Sequence, residues 1–217
     1  MHATAHNPTQ NPALTRSAGA LYLVIILCGL TAELALRGPL LQGAPDQIAA
    51  AMAAQLPQLR LSLLADVIML LADITLALVF FSLLRDRAPA LARAALVFRL
   101  GQAVLIGASL MALASAPALL DDLPRMAVHM TDMHALGYDI GLILFGVNSL
   151  IMARLLGLGD TPRIIAGGIA AAGIVYLTGS LLRLTAPGLS AAFEPAYLVC
   201  ILAESALCLW LLITGRL

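Results

Sequence analysis

Six apolar windows, each about 20 residues long as a bilayer crossing requires, fall at residues 17–36, 61–84, 91–116, 135–156, 162–184 and 193–214. Nothing else in the chain constrains its fold as strongly. Backbone donors and acceptors in hydrocarbon have no water to bond, so each window must be a helix, or a strand of a closed barrel. Windows of this length are helices. The breaks carry turn chemistry: RGPL at 37–40, RDRAPALAR at 85–93, SAPALLDDLPR at 115–125, GLGDTPR at 157–163 and TAPGLSAAFEP at 185–195. They are short, so consecutive spans are antiparallel neighbours in one all-α bundle. The domain reading is a polar cytoplasmic tail over 1–16 and a single six-helix transmembrane domain over 17–215.

Composition agrees. Of 217 residues, 61% are hydrophobic and 11% charged, against about 25% charged in a soluble domain. The chain is a polytopic membrane protein with the lipid bilayer as its first partner. Twelve basic and twelve acidic residues leave no net charge, which argues against nucleic acid. All the basic residues are arginine, so no lysine is present to form a Schiff base. The arginine and alanine bias points to a GC-rich bacterial genome and a bacterial inner membrane. Cys28, Cys200 and Cys208 lie in apolar runs with no CxxC spacing and read as small hydrophobes. The first 15 residues hold no basic n-region and no A-x-A-like cleavage site follows the first apolar run, which reads as a retained span.

Arginine asymmetry sets the orientation. With the N-terminus inside, cytoplasmic flanks hold Arg16, Arg85, Arg87, Arg93, Arg154, Arg163 and Arg216, against Arg37, Arg60, Arg125 and Arg183 outside. Both termini are therefore expected in the cytoplasm. Between the first two spans, Ile48, Met52, Leu56 and Leu59 make a helical stripe, which predicts an outer interfacial helix.

The second span carries Asp66 and Asp73. Seven residues turn a helix to within about 20° of the same direction and rise roughly 10 Å, so the two acids face one way at different depths. A lipid-facing charge at mid-bilayer costs at least about 2.5–3.5 kcal/mol, which turns both acids inward. Arg99 and Gln102 share a face of the third span, and chain position sets Arg99 level with Asp73, predicting a pair. Nearer the outer side the antiparallel order gathers Glu33, Arg37, Arg60, Asp66, His134, Tyr138, Asp139 and Arg183. Tyr197 and Glu204, seven apart on the last span, add an acid deeper in.

Two readings of these groups compete. Ion pairs can set the register of a bundle without any ligand. Alternatively the groups line an outward-opening cavity, because intramembrane ionisable residues mark sites and their number exceeds what register requires. The cavity candidates are Glu33, Arg60, Asp66, Asp73, Arg99, Gln102, His134, Tyr138, Asp139, Arg183 and Glu204.

The stretch HMTDMHALGYDIG, 129–141, opens the fourth span. Gly137-x-x-x-Gly141 permits close helix approach beside Asp139. Met126, Met130 and His134 recur every four residues, as do His129 and Met133. Thioether and imidazole ligands suit Cu(I), and His129, Asp132 and His134 would suit zinc, although no HExxH or cysteine set supports a metal. Apolar packing accounts for the methionines equally well, and no cofactor is assigned. In the fifth span, Gly167, Gly168, Ala171 and Ala172 form a small-residue packing face.

Five segments carry a family resemblance: AGALYLVIILCGLTAELALRG, LADVIMLLADITLALVFFSLLR, RAALVFRLGQAV, MHALGYDIG and PRIIAGGIAAAGIVYL. Over residues 17–215 the chain resembles the DUF4386 family of bacterial membrane proteins. The resemblance implies a polytopic helical fold with Glu33, Arg60, Asp66, Asp73, Arg99, His134 and Asp139 at matching positions. It implies no substrate. Three functions remain open: a protein that binds or moves a small or amphiphilic ligand, an intramembrane acid–base enzyme on a lipid-like, isoprenoid-type substrate, and an accessory subunit or homo-oligomer in a membrane complex. ATP-driven transport by this chain alone is excluded, since no P-loop is present.

Overall fold

Proline marks where the helices begin. Pro12, Pro45, Pro89 and Pro124 each take the first position of a helix, and Pro57 the second position of another. A missing N–H costs nothing there, and the fixed φ is already helical. The computed structural model describes residues 11–217, and among these there are helices and turns but no strand. Helix α1 (Pro12–Leu30) runs on into a π-helical segment (Thr31–Arg37) and a 3-10 turn (Gly38–Leu40). There follow α2 (Pro45–Ala54), α3 (Leu56–Leu84), α4 (Pro89–Leu119), α5 (Pro124–Leu156), α6 (Arg163–Thr185), the single-turn α7 (Ser190–Phe193) and α8 (Tyr197–Thr214). Six segments, containing α1, α3, α4, α5, α6 and α8, are long and apolar enough to cross a membrane.

Two boundaries differ from the sequence reading. Residues 1–10 of the expected tail lie outside the described residues, and 12–16 already belong to α1, capped by the Asn11 side chain accepting from Leu14 N–H at 3.1 Å. The fourth span starts at Pro124 rather than 135. Its first turns carry Arg125, His129 and Asp132, which lowers hydropathy there. They stay helical because α2 covers them: Ala49 and Met52 share a buried core with Ala127 and Val128. The segment 129–141 therefore lies inside a long helix and is not its opening turn.

Each span packs on the next, α1 on α3, then α4, α5, α6 and α8, and α8 returns to α1. The result is a closed ring in chain order. Small residues set its close approaches. A Cβ on Gly146 would lie 2.9 Å from Gly173 O, and one on Gly137 would lie 2.7 Å from Ser109 Cβ. Gly168 meets Ala203 on α8, whereas Gly167 faces open space, so only part of the expected small-residue face is used. In the half of the ring that holds the start of α1 and the end of α8, an apolar core fills the centre. It includes Ala18, Leu76, Phe80, Ala92, Leu155, Ile169 and Leu207. The core of the other half draws on the Gly38–Leu40 turn and α2 to α5, with nothing from α6 or α8.

The π segment is held by two contacts. Gly38 N–H donates to Glu33 O, and Gln58 Nε2 on α3 donates to Leu36 O at 2.8 Å. A Cβ on Gly38 would lie 2.6 Å from Glu33 O. Helix propensity alone favours alanine over glycine by about 1 kcal/mol. Gly38→Ala is nevertheless expected to destabilise the protein in detergent, by roughly 1–3 kcal/mol for overpacking. A rise in melting temperature would show that this contact does not hold the segment.

Candidate functional site

Where α6 and α8 lack an apolar partner, the ring encloses a cavity of about 580 Å³ with walls from all six spans. Ten of the eleven sequence candidates line it: Glu33, Asp66, Asp73, Arg99, Gln102, His134, Tyr138, Asp139, Arg183 and Glu204. Arg60 is absent from the wall and exposed. Six residues place it about 120° around the helix from Asp66, so it cannot share the inward stripe.

The ion pairs are specific. Arg99 donates from Nε at 3.0 Å and from Nη2 at 2.5 Å, both to Asp73 Oδ1. Asp73 Oδ2 is left buried without a partner, as is Gln102 Oε1. The Arg99 guanidinium also lies 5.7 Å from the Tyr22 ring centre and 5.1 Å from that of Phe145. Asp66 pairs with Arg37, which donates from Nη1 at 2.5 Å and reaches Glu33 Oε2 from Nη2 at 2.6 Å. The Arg37 side chain is 3% exposed, while that of Glu33 is 62% exposed. Arg183 Nη1 stands 3.6 Å from Asp139 Oδ2, too long for a direct hydrogen bond. It is the loosest of the pairs on the wall.

Glu204 has a different partner. Tyr176 Oη donates to its Oε1 at 2.7 Å, and no arginine pairs with it among the described residues. That tyrosine stands in a row of rings, with Phe145 against Tyr176 at 5.1 Å and Tyr176 against Tyr197 at 6.0 Å between centroids. Tyr197 Oη is buried without a partner. His134 Nδ1 lies 3.0 Å from Ser109 Oγ, which also donates to Ile106 O at 2.8 Å. A serine hydroxyl has one proton, so with it on Ile106 O the imidazole Nδ1 is the donor. Tyr138 Oη points to Met69 Sδ at 3.8 Å.

Sequence position put Arg37 beside Glu33 but gave no reason to choose it as the partner of Asp66. Tyr176 and Phe145 carried no signal at all, since an aromatic in an apolar span looks like packing. The methionine–histidine set does not converge. His129 lies about 140° around the helix from His134, and it is exposed while His134 is buried. Met130 packs with the apolar core instead. Among the described residues no group of three or more His, Cys, Asp or Glu side chains is placed to hold a metal ion.

A ring of apolar helices around buried charges defines a multi-pass α-helical integral membrane protein. Over residues 17–215 the chain matches the family described as Domain of unknown function (DUF4386), and it belongs to that family. No curated protein and no solved structure matches it.

The Asp73–Arg99 pair generates a test. Removing one partner strands a buried charge, so Asp73→Asn and Arg99→Gln should each destabilise the protein in detergent by about 3–5 kcal/mol. The double variant should lose less than the sum of the two, by roughly 0.5–3 kcal/mol. Additive losses would mean that the two side chains do not stabilise each other.

Proposed function

We propose that this protein binds, or moves, a small or amphiphilic ligand in its intramembrane cavity, and that residues 17–215 act as one six-helix transmembrane domain. The observation that carries the reading is the cavity itself. Its volume of about 580 Å³ lies within the roughly 300–1,000 Å³ of small-molecule sites. Its wall mixes apolar side chains such as Ile25, Leu70, Ile106 and Leu142 with the grouped acids and arginines. That mixture suits a ligand with one polar end and one apolar end. An accessory-subunit role would be favoured if the charged groups paired off with no space among them. Pairs are present, but they stand around a space, so that role ranks second.

The arginine asymmetry supports a cytoplasmic N-terminus, and the cavity half of the ring then faces outward in a bacterial inner membrane. Both statements are checked by one set of variants in a background with Cys28, Cys200 and Cys208 replaced by alanine. Asp121→Cys and Ser190→Cys should react with an impermeant thiol reagent added outside, and Asp86→Cys and Leu158→Cys should not. The reverse pattern would turn the cavity toward the cytoplasm. Ala135 is exposed on the cavity wall, so Ala135→Cys should react from the same side as Asp121→Cys. A folded protein in which residue 135 stays unreactive would remove the cavity reading.

A further inference from the structure

Counting charge on the cavity wall narrows the ligand. Six carboxylates line it, Glu33, Asp66, Asp73, Asp139, Glu194 and Glu204, against the three arginines Arg37, Arg99 and Arg183. The arginines are already engaged by Asp66 and Glu33, by Asp73 and by Asp139. Of the two acids left without an arginine, Glu194 is exposed and Glu204 is buried, and a buried acid must be matched by a cation or by a proton. Two further observations say which kind of group is missing. Asp73, 5% exposed, has its Oδ2 buried and unpartnered on the wall. An ionised carboxylate oxygen only accepts, so the group it lacks is a donor; the Gln102 amide, on the same wall, can turn either end toward a ligand.

The second observation is aromatic. From Asp73 the wall runs through Arg99 to the Phe145 ring at 5.1 Å, then to Tyr176 at 5.1 Å and to Glu204 at 2.7 Å, with Tyr197 6.0 Å from Tyr176. Aromatic faces attract cations, and more strongly where water is excluded. Here, among the described residues, Tyr176 bonds the one buried wall carboxylate that no arginine pairs with, and Phe145 and Tyr197 stack edge-on against that tyrosine. An anion would meet the surplus acids, and a neutral alcohol would leave them unmatched.

We propose that the cavity is a site for a protonated organic amine with an apolar body, its N–H groups between Asp73 and Glu204 and its apolar part along Leu70, Ile106 and Leu142. The proposal rests on the reading of the cavity as a ligand site. A bound ammonium supplies both the positive charge and the donors, and the ring of Tyr176 beside Glu204 offers it an aromatic face.

The test uses the cysteine-free Ala135→Cys protein in phosphatidylcholine nanodiscs, with thiol modification at residue 135 as the readout. Phenylbutylamine, phenylbutanol and phenylbutanoate share an apolar body and differ in the head group. The amine is expected to slow modification saturably, while the alcohol and carboxylate at the same concentrations leave the rate unchanged. Modification of Asp121→Cys should respond to none of the three. Glu204→Gln keeps an acceptor for Tyr176 and removes the charge, and should raise the amine concentration needed by about tenfold or more. An unchanged midpoint in that variant would overturn the placement of the ammonium at Glu204. Protection by the carboxylate or the alcohol at the amine's concentration would overturn the amine and leave the ligand site standing. Modification at 135 that no probe slows would also overturn the amine. No modification at 135 in the folded protein would remove the site and the amine together.

Discussion

Arg99 is the group on which most of this structure depends. A charge in the middle of a span cannot face lipid without a cost of at least about 2.5–3.5 kcal/mol, so α4 has one rotation open to it. With that rotation taken, the guanidinium reaches three other spans at once. It meets Asp73 on α3, the Tyr22 ring on α1 and the Phe145 ring on α5. It also stands at the boundary between the halves of the ring, lining a small crevice with Ala77, Phe80 and Met152 on one side and the cavity on the other. Its carboxylate partner sets the register of α3 against α4, and the rings set how near α1 and α5 can come. The floor of the cavity is thus a consequence of where one arginine had to go.

Above that floor the helices stay apart for reasons that can be named. Lipid chains are as apolar as leucine, so helices associate through close packing and hydrogen bonds rather than through hydrophobic burial. Small residues supply that packing at Gly19, Gly146 and Gly173. The wall instead carries long side chains, Arg37, Arg183, Glu33 and Glu204, which hold neighbouring backbones at arm's length. The π segment adds to the effect. It widens the end of α1 and brings Glu33 and Arg37 to one side, so that a single arginine serves carboxylates on two elements.

Much of this was legible in the chain, for a reason that applies to membrane proteins in general. Hydrocarbon tolerates so few backbone structures that length and hydropathy identify the spans, and the cost of a lipid-facing charge tells which side of each helix turns inward. Asp66, Asp73, Arg99 and Asp139 could be placed on the inner wall by those two rules alone. Arg60 failed because depth and charge were read without its angle around the helix. Tyr176 and Phe145 escaped because an aromatic ring costs nothing against lipid, so no penalty points it inward. The start of α5 was hidden by its own polar residues, which only the packing of α2 makes tolerable.

The order of partners along the chain bears on how such a molecule enters its membrane. Glu33 and Arg37 share one segment, Arg37 finds Asp66 on the next span, Asp73 finds Arg99 on the one after, Asp139 finds Arg183, and Tyr176 finds Glu204. Among the described residues, each of these matches of a membrane-buried acid lies within a segment or between spans that are consecutive in synthesis. An acid delivered into the bilayer waits for one further helix and no longer. The seam that joins the first span to the last carries no ion pair; it rests on Gly19 against Leu212 and on the Cys208 thiol donating to Gly19 O at 3.3 Å. Hairpins can thus neutralise their own charges as they leave the ribosome, and the circle is closed at the end by contacts that need no charge to be carried through lipid.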